Sequence, residues 1–176
     1  MATAKGVEIT NLDTTPRTLL ESGSGGGTVK VFMDTIAAGT GDIDDNDIIL
    51  LAEVPSNAKI LSIKIFNDDL DSGGSPALAT DVGVYMGPIK TSSYAANAVI
   101  DRDCYATASA VLQAAVLTGT EVAFEVRNVN AIANFVWEDA GLSSDPGVPL
   151  RIALTMETAA ATAAAGDITM QVTYAH

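Results

Sequence analysis

Apolar residues recur at every second position along several short stretches of this chain, and that period is the strongest constraint on its fold. Val29, Val31 and Met33 alternate with Lys30 and Phe32, and Leu61, Ile63 and Ile65 alternate with Ser62 and Lys64. Val122, Phe124 and Val126 repeat the pattern, as do Leu150, Ile152, Leu154 and Met156, and then Ile168, Met170, Val172 and Tyr174. Side chains on a strand point to opposite faces in turn, so each set predicts a strand with one buried face. Asp47–Val54 is nearly continuous apolar, which predicts a strand buried on both faces or at an interface. Asp81–Gly87 reads as a short strand whose internal glycine marks a bulge or tight bend. Turn chemistry separates these runs, as at Pro55-Ser56-Asn57 and in the polar loop Asp68–Pro76.

Two segments read as helices. Ala106–Leu117 is rich in good helix formers and is closed by Gly119. Ala131–Ala140 spaces Ile132, Phe135 and Val136 by three and four, with Gly141 as the residue that ends the helix. Thr158–Ala165 is low-complexity and reads as a loop before the Gly166-Asp167 turn. Strands do not alternate regularly with helices, so a parallel sheet is disfavoured. The expected fold is mainly β: an antiparallel two-sheet sandwich, jelly-roll-like, with one or two short helices. Residues 1–27 carry Thr14-Thr15-Pro16 and the linker composition Ser22–Gly27 without a core pattern. They read as a flexible, extended N-terminal arm and Gly/Ser linker ahead of a sandwich spanning 28–176.

Composition narrows the function. Of 176 residues, 22 are Asp or Glu and 9 are Lys or Arg, a formal charge of −13, which repels phosphate and argues against a nucleic-acid partner. Yet 48% are hydrophobic and only 18% charged, enough apolar content to fold rather than remain disordered. No apolar run is long enough to span a bilayer, the N-terminus does not read as a secretion signal, and a single cysteine allows no internal disulfide.

The search for chemistry finds little. The one histidine, His176, is the last residue, a poor place for a general base. Cys104 lies between Asp101 and Asp103 and Tyr105, and those carboxylates raise a thiol pKa rather than activate the sulfur. Asp42, Asp44, Asn46 and Glu53 stand at positions one, three, five and twelve of a calcium loop, but Asp47 occupies the position that needs glycine. A solvated acidic turn accounts for them better, and the same holds for Asp68, Asp69 and Asp71. Paired carboxylates could hydrolyse a glycoside, but aromatic platforms are scarce, and Trp137 reads as a core anchor. Ser22–Gly27 lacks the lysine and helix start of a phosphate loop. No catalytic residue, metal ligand or cofactor is expected, so the chain reads as no enzyme.

Val54-Pro55-Ser56-Asn57-Ala58-Lys59-Ile60 closes one strand and opens the next, and Asp81-Val82-Gly83-Val84-Tyr85 follows. Further on stand Phe135-Val136-Trp137-Glu138-Asp139-Ala140-Gly141-Leu142-Ser143, then Gly166-Asp167-Ile168 and Val172-Thr173-Tyr174. In this order, from about Thr28 to Tyr174, the chain resembles the small structural proteins of tailed bacteriophages that decorate or cement the capsid shell. The resemblance implies a jelly-roll-like sandwich made in the host cytoplasm and held on the capsid exterior as an oligomer, a homotrimer for preference. Its partners would be the major capsid protein and itself, without direct nucleic-acid or membrane contact. Two other readings are open: a sandwich module that binds glycan or a host surface from a phage head or tail fibre, and a small hydrolase using Asp and Glu alone.

Because the core pattern begins at Thr28, deleting residues 1–27 is expected to leave the thermal unfolding transition of the sandwich in place. Loss of that transition, followed by circular dichroism, would make the arm an integral strand.

Overall fold

An alternating stretch becomes a stable strand when its apolar phase can be buried against a second sheet. The computed structural model, which describes Lys5, residues 9–10, 13–16, Thr18, 27–91 and 93–176, has eight strands among these residues. They are β1 (Val29–Ala38), β2 (Ile48–Val54), β3 (Lys59–Asn67), β4 (Ala79–Met86), β5 (Val99–Ser109), β6 (Val116–Glu121), β7 (Leu150–Thr158) and β8 (Gly166–Ala175). One sheet has the order β1-β8-β3-β6 and the other β2-β7-β4-β5, with antiparallel pairing throughout. Apart from the step from β4 to β5, successive strands cross from one sheet to the other. This is the jelly-roll arrangement that the sequence pattern implies.

The inward faces close one core. Ile60, Ile63 and Ile65 of β3 and Ile168, Met170 and Val172 of β8 share it with Val82, Val84 and Met86 of β4 and with Leu150, Ile152, Leu154 and Met156 of β7. All are fully buried, and each such aliphatic side chain stabilises the fold by about 1.5–3 kcal/mol relative to exposure. The loops at one end are tied down by Asp71, whose buried carboxylate accepts the backbone N–H groups of Ala77 (2.6 Å), Leu78 (2.9 Å), Ala161 (3.0 Å) and Thr162 (2.8 Å). Burial pushes this carboxyl up, but the four donors outweigh it and hold it well below the usual carboxylate range. One side chain thereby fastens the loop before β4 to the Thr158–Ala165 connection between β7 and β8.

The structure corrects several expectations. Ala106–Leu117 is not a helix: Ala106–Ser109 completes β5, Ala110–Gln113 turns with buried Val111 and Leu112, and Val116 and Leu117 begin β6. Helix propensity differs by only tenths of a kcal/mol per residue, and pairing with β4 decides the outcome. Val122–Val126 is not a strand. Val122 is buried and its N–H donates to the Ile63 carbonyl (2.9 Å), but the chain then turns and exposes Phe124 and Val126.

The expected Ala131–Ala140 helix shrinks to a 3-10 turn at Val129–Ala131 and one helical turn, α1 (Val136–Asp139). Gly141 does end it, at φ +69° with its N–H on the Glu138 carbonyl. In β1 the expected apolar face points outward, while Phe32 and Ile36 turn toward the core. A bulge between Ile60 and Ser62 also turns Leu61 out. β2 is an edge strand rather than one buried on both faces, and a bulge between Leu50 and Ala52 explains its unbroken apolar run. In the N-terminal segment, the described Ile9 and Thr10 carbonyls both accept the Asp13 N–H in a helical turn; most of residues 1–26, on which the expected arm and linker fall, lies outside the described residues.

Gly83 is the expected bulge glycine. The β4–β5 register shifts on both sides of it, and a Cβ there would overlap the Asp101 carbonyl oxygen and the Arg102 backbone. Gly83→Ala is therefore expected to separate β4 from β5 and lower stability by about 1–3 kcal/mol in denaturant unfolding. An unchanged midpoint would show that β5 can shift away without penalty.

Candidate functional site

The acidic residues singled out in the sequence are bound up in local backbone contacts. Asp42 and Asp44 lie in the turn between β1 and β2, with Asn46 in the left-handed region at φ +67° and its N–H on the Met156 carbonyl (2.7 Å). Asp42 Oδ2 accepts the Gly39 N–H (2.8 Å), and Asp47 Oδ2 accepts the Asp44 N–H (2.9 Å). Glu53 belongs to β2, where Arg151 Nε of the neighbouring strand lies 3.1 Å from its Oε2. Among the described residues no group of three or more His, Cys, Asp or Glu side chains is placed to hold a metal ion. In the second acidic loop Asp68 Oδ2 accepts the Asp167 N–H (2.9 Å), and Asp69 Oδ1 accepts the Asp71 N–H (3.2 Å).

The two nucleophile-or-base candidates have structural surroundings. His176 is not frayed: its backbone exchanges two hydrogen bonds with Thr28, and its Nε2 stands 3.0 Å from Asn57 Oδ1. Cys104 is half-buried, and burial followed by the charges of Asp101 and Asp139 pushes its thiol well above the usual range. Trp137 packs partly buried against the core, while its neighbour Val136 supplies the fully buried contact of α1.

Sequence reasoning missed a sealed polar cluster. The side chains of Arg127 and Asp139 are each 2% exposed and lie 3.0 Å apart. The guanidinium also donates to the carbonyls of Ile60 (3.3 Å), Ala131 (3.1 Å) and Ile132 (3.2 Å) and stands over the rings of Tyr105 and Phe124. Tyr105 Oη donates to Asp139 Oδ2 at 3.1 Å. The cluster fastens the segment between β6 and β7 onto β3 and β5. Arg127 sits within an irregular segment, so no periodic signal announces it.

The surface carries exposed apolar side chains and shallow depressions. Along edge strand β1, Val29, Val31 and Met33 are 60%, 56% and 58% exposed. Beside them, between the edges of the two sheets, runs an open groove of about 370 Å³ lined by Phe32, Asp34, Leu50, Glu53 and Arg151. A second depression of about 440 Å³ is lined by Thr91, Tyr94, Leu142, Ser143 and Ser144. Phe124, Val126, Val129 and Ile132 expose further apolar surface after β6. Among the described residues no helix is long and apolar enough to cross a membrane.

No protein-family model matches the chain, and no curated protein matches it. Two solved structures share its fold. A chain of the cyanophage Pam1 capsid asymmetric unit matches with a TM-score of 0.60 at 22% identity, over 93% of this chain and 96% of that one. A chain of the capsid of Ralstonia phage GP4 matches with a TM-score of 0.58 at 22% identity, over 90% of each. The jelly roll is thus shared nearly end to end with chains found in phage capsids.

The Arg127–Asp139 pair makes a prediction of its own. Burial raises the Asp139 carboxyl to about 6, more than Arg127 and Tyr105 lower it. A carboxyl raised in the fold takes up a proton on folding, so its contribution is full below its unfolded value and is lost as pH rises through 6. Between pH 7 and pH 5 the wild-type chain should gain about 1 kcal/mol relative to Asp139→Asn, measured by urea unfolding at both pH values. A difference that stays constant or moves the other way would contradict the raised pKa.

Proposed function

We propose that this chain is a structural virion protein that binds the outer surface of a phage capsid and stabilises the shell. The observation that carries the proposal is the fold, shared over nearly the full length of both chains with components of two phage capsids. The surface supports it: an exposed edge strand and exposed apolar side chains suit contact with other subunits. A charge of −13 suits an outer position, away from packaged DNA, and keeps free subunits apart before assembly. In this role the chain needs no catalytic centre, cofactor or metal. Its partners are the major capsid protein and further copies of itself, with a homotrimer as the working oligomer and residues 1–27 as a segment able to reach a neighbour.

A second reading, a sandwich that recognises glycan or a host surface, has one observation in its favour. The depression at Tyr94 combines a half-buried aromatic ring with the hydroxyls of Thr91, Ser143 and Ser144. The two readings separate on intact particles. Particles of the encoding phage that lack this chain are expected to lose their genome at lower temperature and to recover on adding the purified protein, at a copy number set by shell symmetry. Particles that never contain the chain would overturn the proposal, and glycan binding abolished by Tyr94→Ala would favour the second reading.

A further inference from the structure

Among the described residues four strands form the edges of this sandwich, and three of them carry features that block pairing with another chain. β2 is bulged between Leu50 and Ala52, β5 shifts register repeatedly against β4, and β6 is six residues long with an irregularity and a glycine at φ +77°. β1 has none of these. It runs ten residues in unbroken register with β8 from Val29 to Ala38 and contains no proline. Long, regular, apolar edge strands are where sheets extend into a second molecule.

Which β1 backbone groups are free follows from the ladder. Thr28 and His176 exchange both of their backbone hydrogen bonds, so even-numbered residues of β1 bond to β8. The N–H and C=O groups of Val29, Val31 and Met33 therefore face the open edge, as does the Thr35 carbonyl, while the Thr35 N–H is held by Asp34 Oδ1 (2.8 Å). Two copies meeting there antiparallel must pair odd residues with odd ones. That leaves few registers, and charge selects among them. Centred on Val31, the pairing sets Lys30 against Phe32. Centred on Met33, it sets Phe32 against Asp34. Centred on Phe32, it sets Lys30 opposite Asp34 of the partner subunit, and Asp34 opposite its Lys30. Both side chains are exposed, and neither has an ion pair among the described residues; Lys30 Nζ stands 3.4 Å from His176 Nδ1, and Asp34 Oδ1 accepts the Thr35 N–H.

We propose that β1 is the docking surface for a second copy of this chain, paired antiparallel about a two-fold axis through Phe32. The contact joins two four-stranded sheets into one continuous sheet with about six interchain backbone hydrogen bonds. On the outer face it sets Val31 against Met33 of the partner subunit. On the inner face it brings the two Phe32 rings together beside Leu50 in the groove between β1 and β2. The occupant is a copy of the chain itself because the strand is self-complementary, which no unrelated segment needs to be. A two-fold contact is compatible with a three-fold one made through another face, and it does not rest on the capsid reading.

The full-length protein tests it in isolation. Lys30→Asp and Asp34→Lys should each weaken association about tenfold in sedimentation equilibrium, and the double reversal should restore it. In a Cys104→Ala background, an equal mixture of Val31→Cys and Met33→Cys chains should form a disulfide-linked dimer on oxidation. Neither variant should do so alone, because only residues 31 and 33 face each other across the axis. Positions 30, 31, 33 and 34 are exposed, and an unchanged thermal transition confirms folding of every variant, including the one at half-buried Cys104. A chain that stays monomeric because residues 1–27 or another protein cover β1 would overturn the proposal. So would an oligomer that ignores the charge reversals, or one whose single-cysteine variants crosslink as readily as the mixture.

Discussion

A sandwich of two open sheets buries its faces but leaves its edges, and here the treatment of those edges organises the rest of the molecule. Closing the core requires the Ile, Leu, Val and Met sets of β3, β4, β7 and β8 to face inward, which makes β1, β2, β5 and β6 the margins. Bulges and shortness disrupt three margins. The fourth remains straight, regular and apolar on its outward side. An unpaired backbone with this geometry is disfavoured in a chain meant to stay alone and useful in one meant to assemble.

Inside the sandwich, a few polar side chains settle positions that apolar packing leaves undefined. Asp71 collects four backbone donors from two loops distant in sequence. Arg127 collects three carbonyls and the Asp139 carboxylate, and so holds an irregular segment against the sheets. Buried polar groups are tolerated when most of their bonds are made, and these two sites, although Arg127 Nε is left without a partner, replace regular structure where the chain has none. Gly83 serves the same end by absence, since only a residue without Cβ lets the β5 backbone approach β4 so closely.

The sequence announced the strands whose alternation stays in phase with their burial. Leu150 to Met156 and Ile168 to Tyr174 are such strands, and they form the centre of the two sheets. It misled wherever tertiary contacts override a local signal. Alanine-rich Ala106–Leu117 reads as helix, yet pairing with β4 and a turn at buried Leu112 make it strand, turn and strand. Val122 and Phe124 share a period of two but not a face, because the chain turns after Val122 enters the core. The outward phase of Val29, Val31 and Met33 was hidden for a different reason. Alternation reveals that a face is apolar, not which way it points, and here the half-buried Phe32 and Ile36 hold the inner side. The Arg127–Asp139 cluster has no sequence signature, since its partners are carbonyls and a residue on a separate helical turn.

The likeness to chains of two phage capsids covers nearly the whole molecule, and the acidic loops bind their own backbone. In the proposed pairing β1 is open in the free subunit and covered on assembly. Amide hydrogen exchange of Val29, Val31 and Met33 tests it most directly. Rapid exchange is expected in dilute protein, while the intervening residues bonded to β8 stay protected, and slow exchange of all of them is expected once copies associate. Protection of the odd-numbered amides in the dilute monomer, or continued rapid exchange in the assembled form, would contradict it.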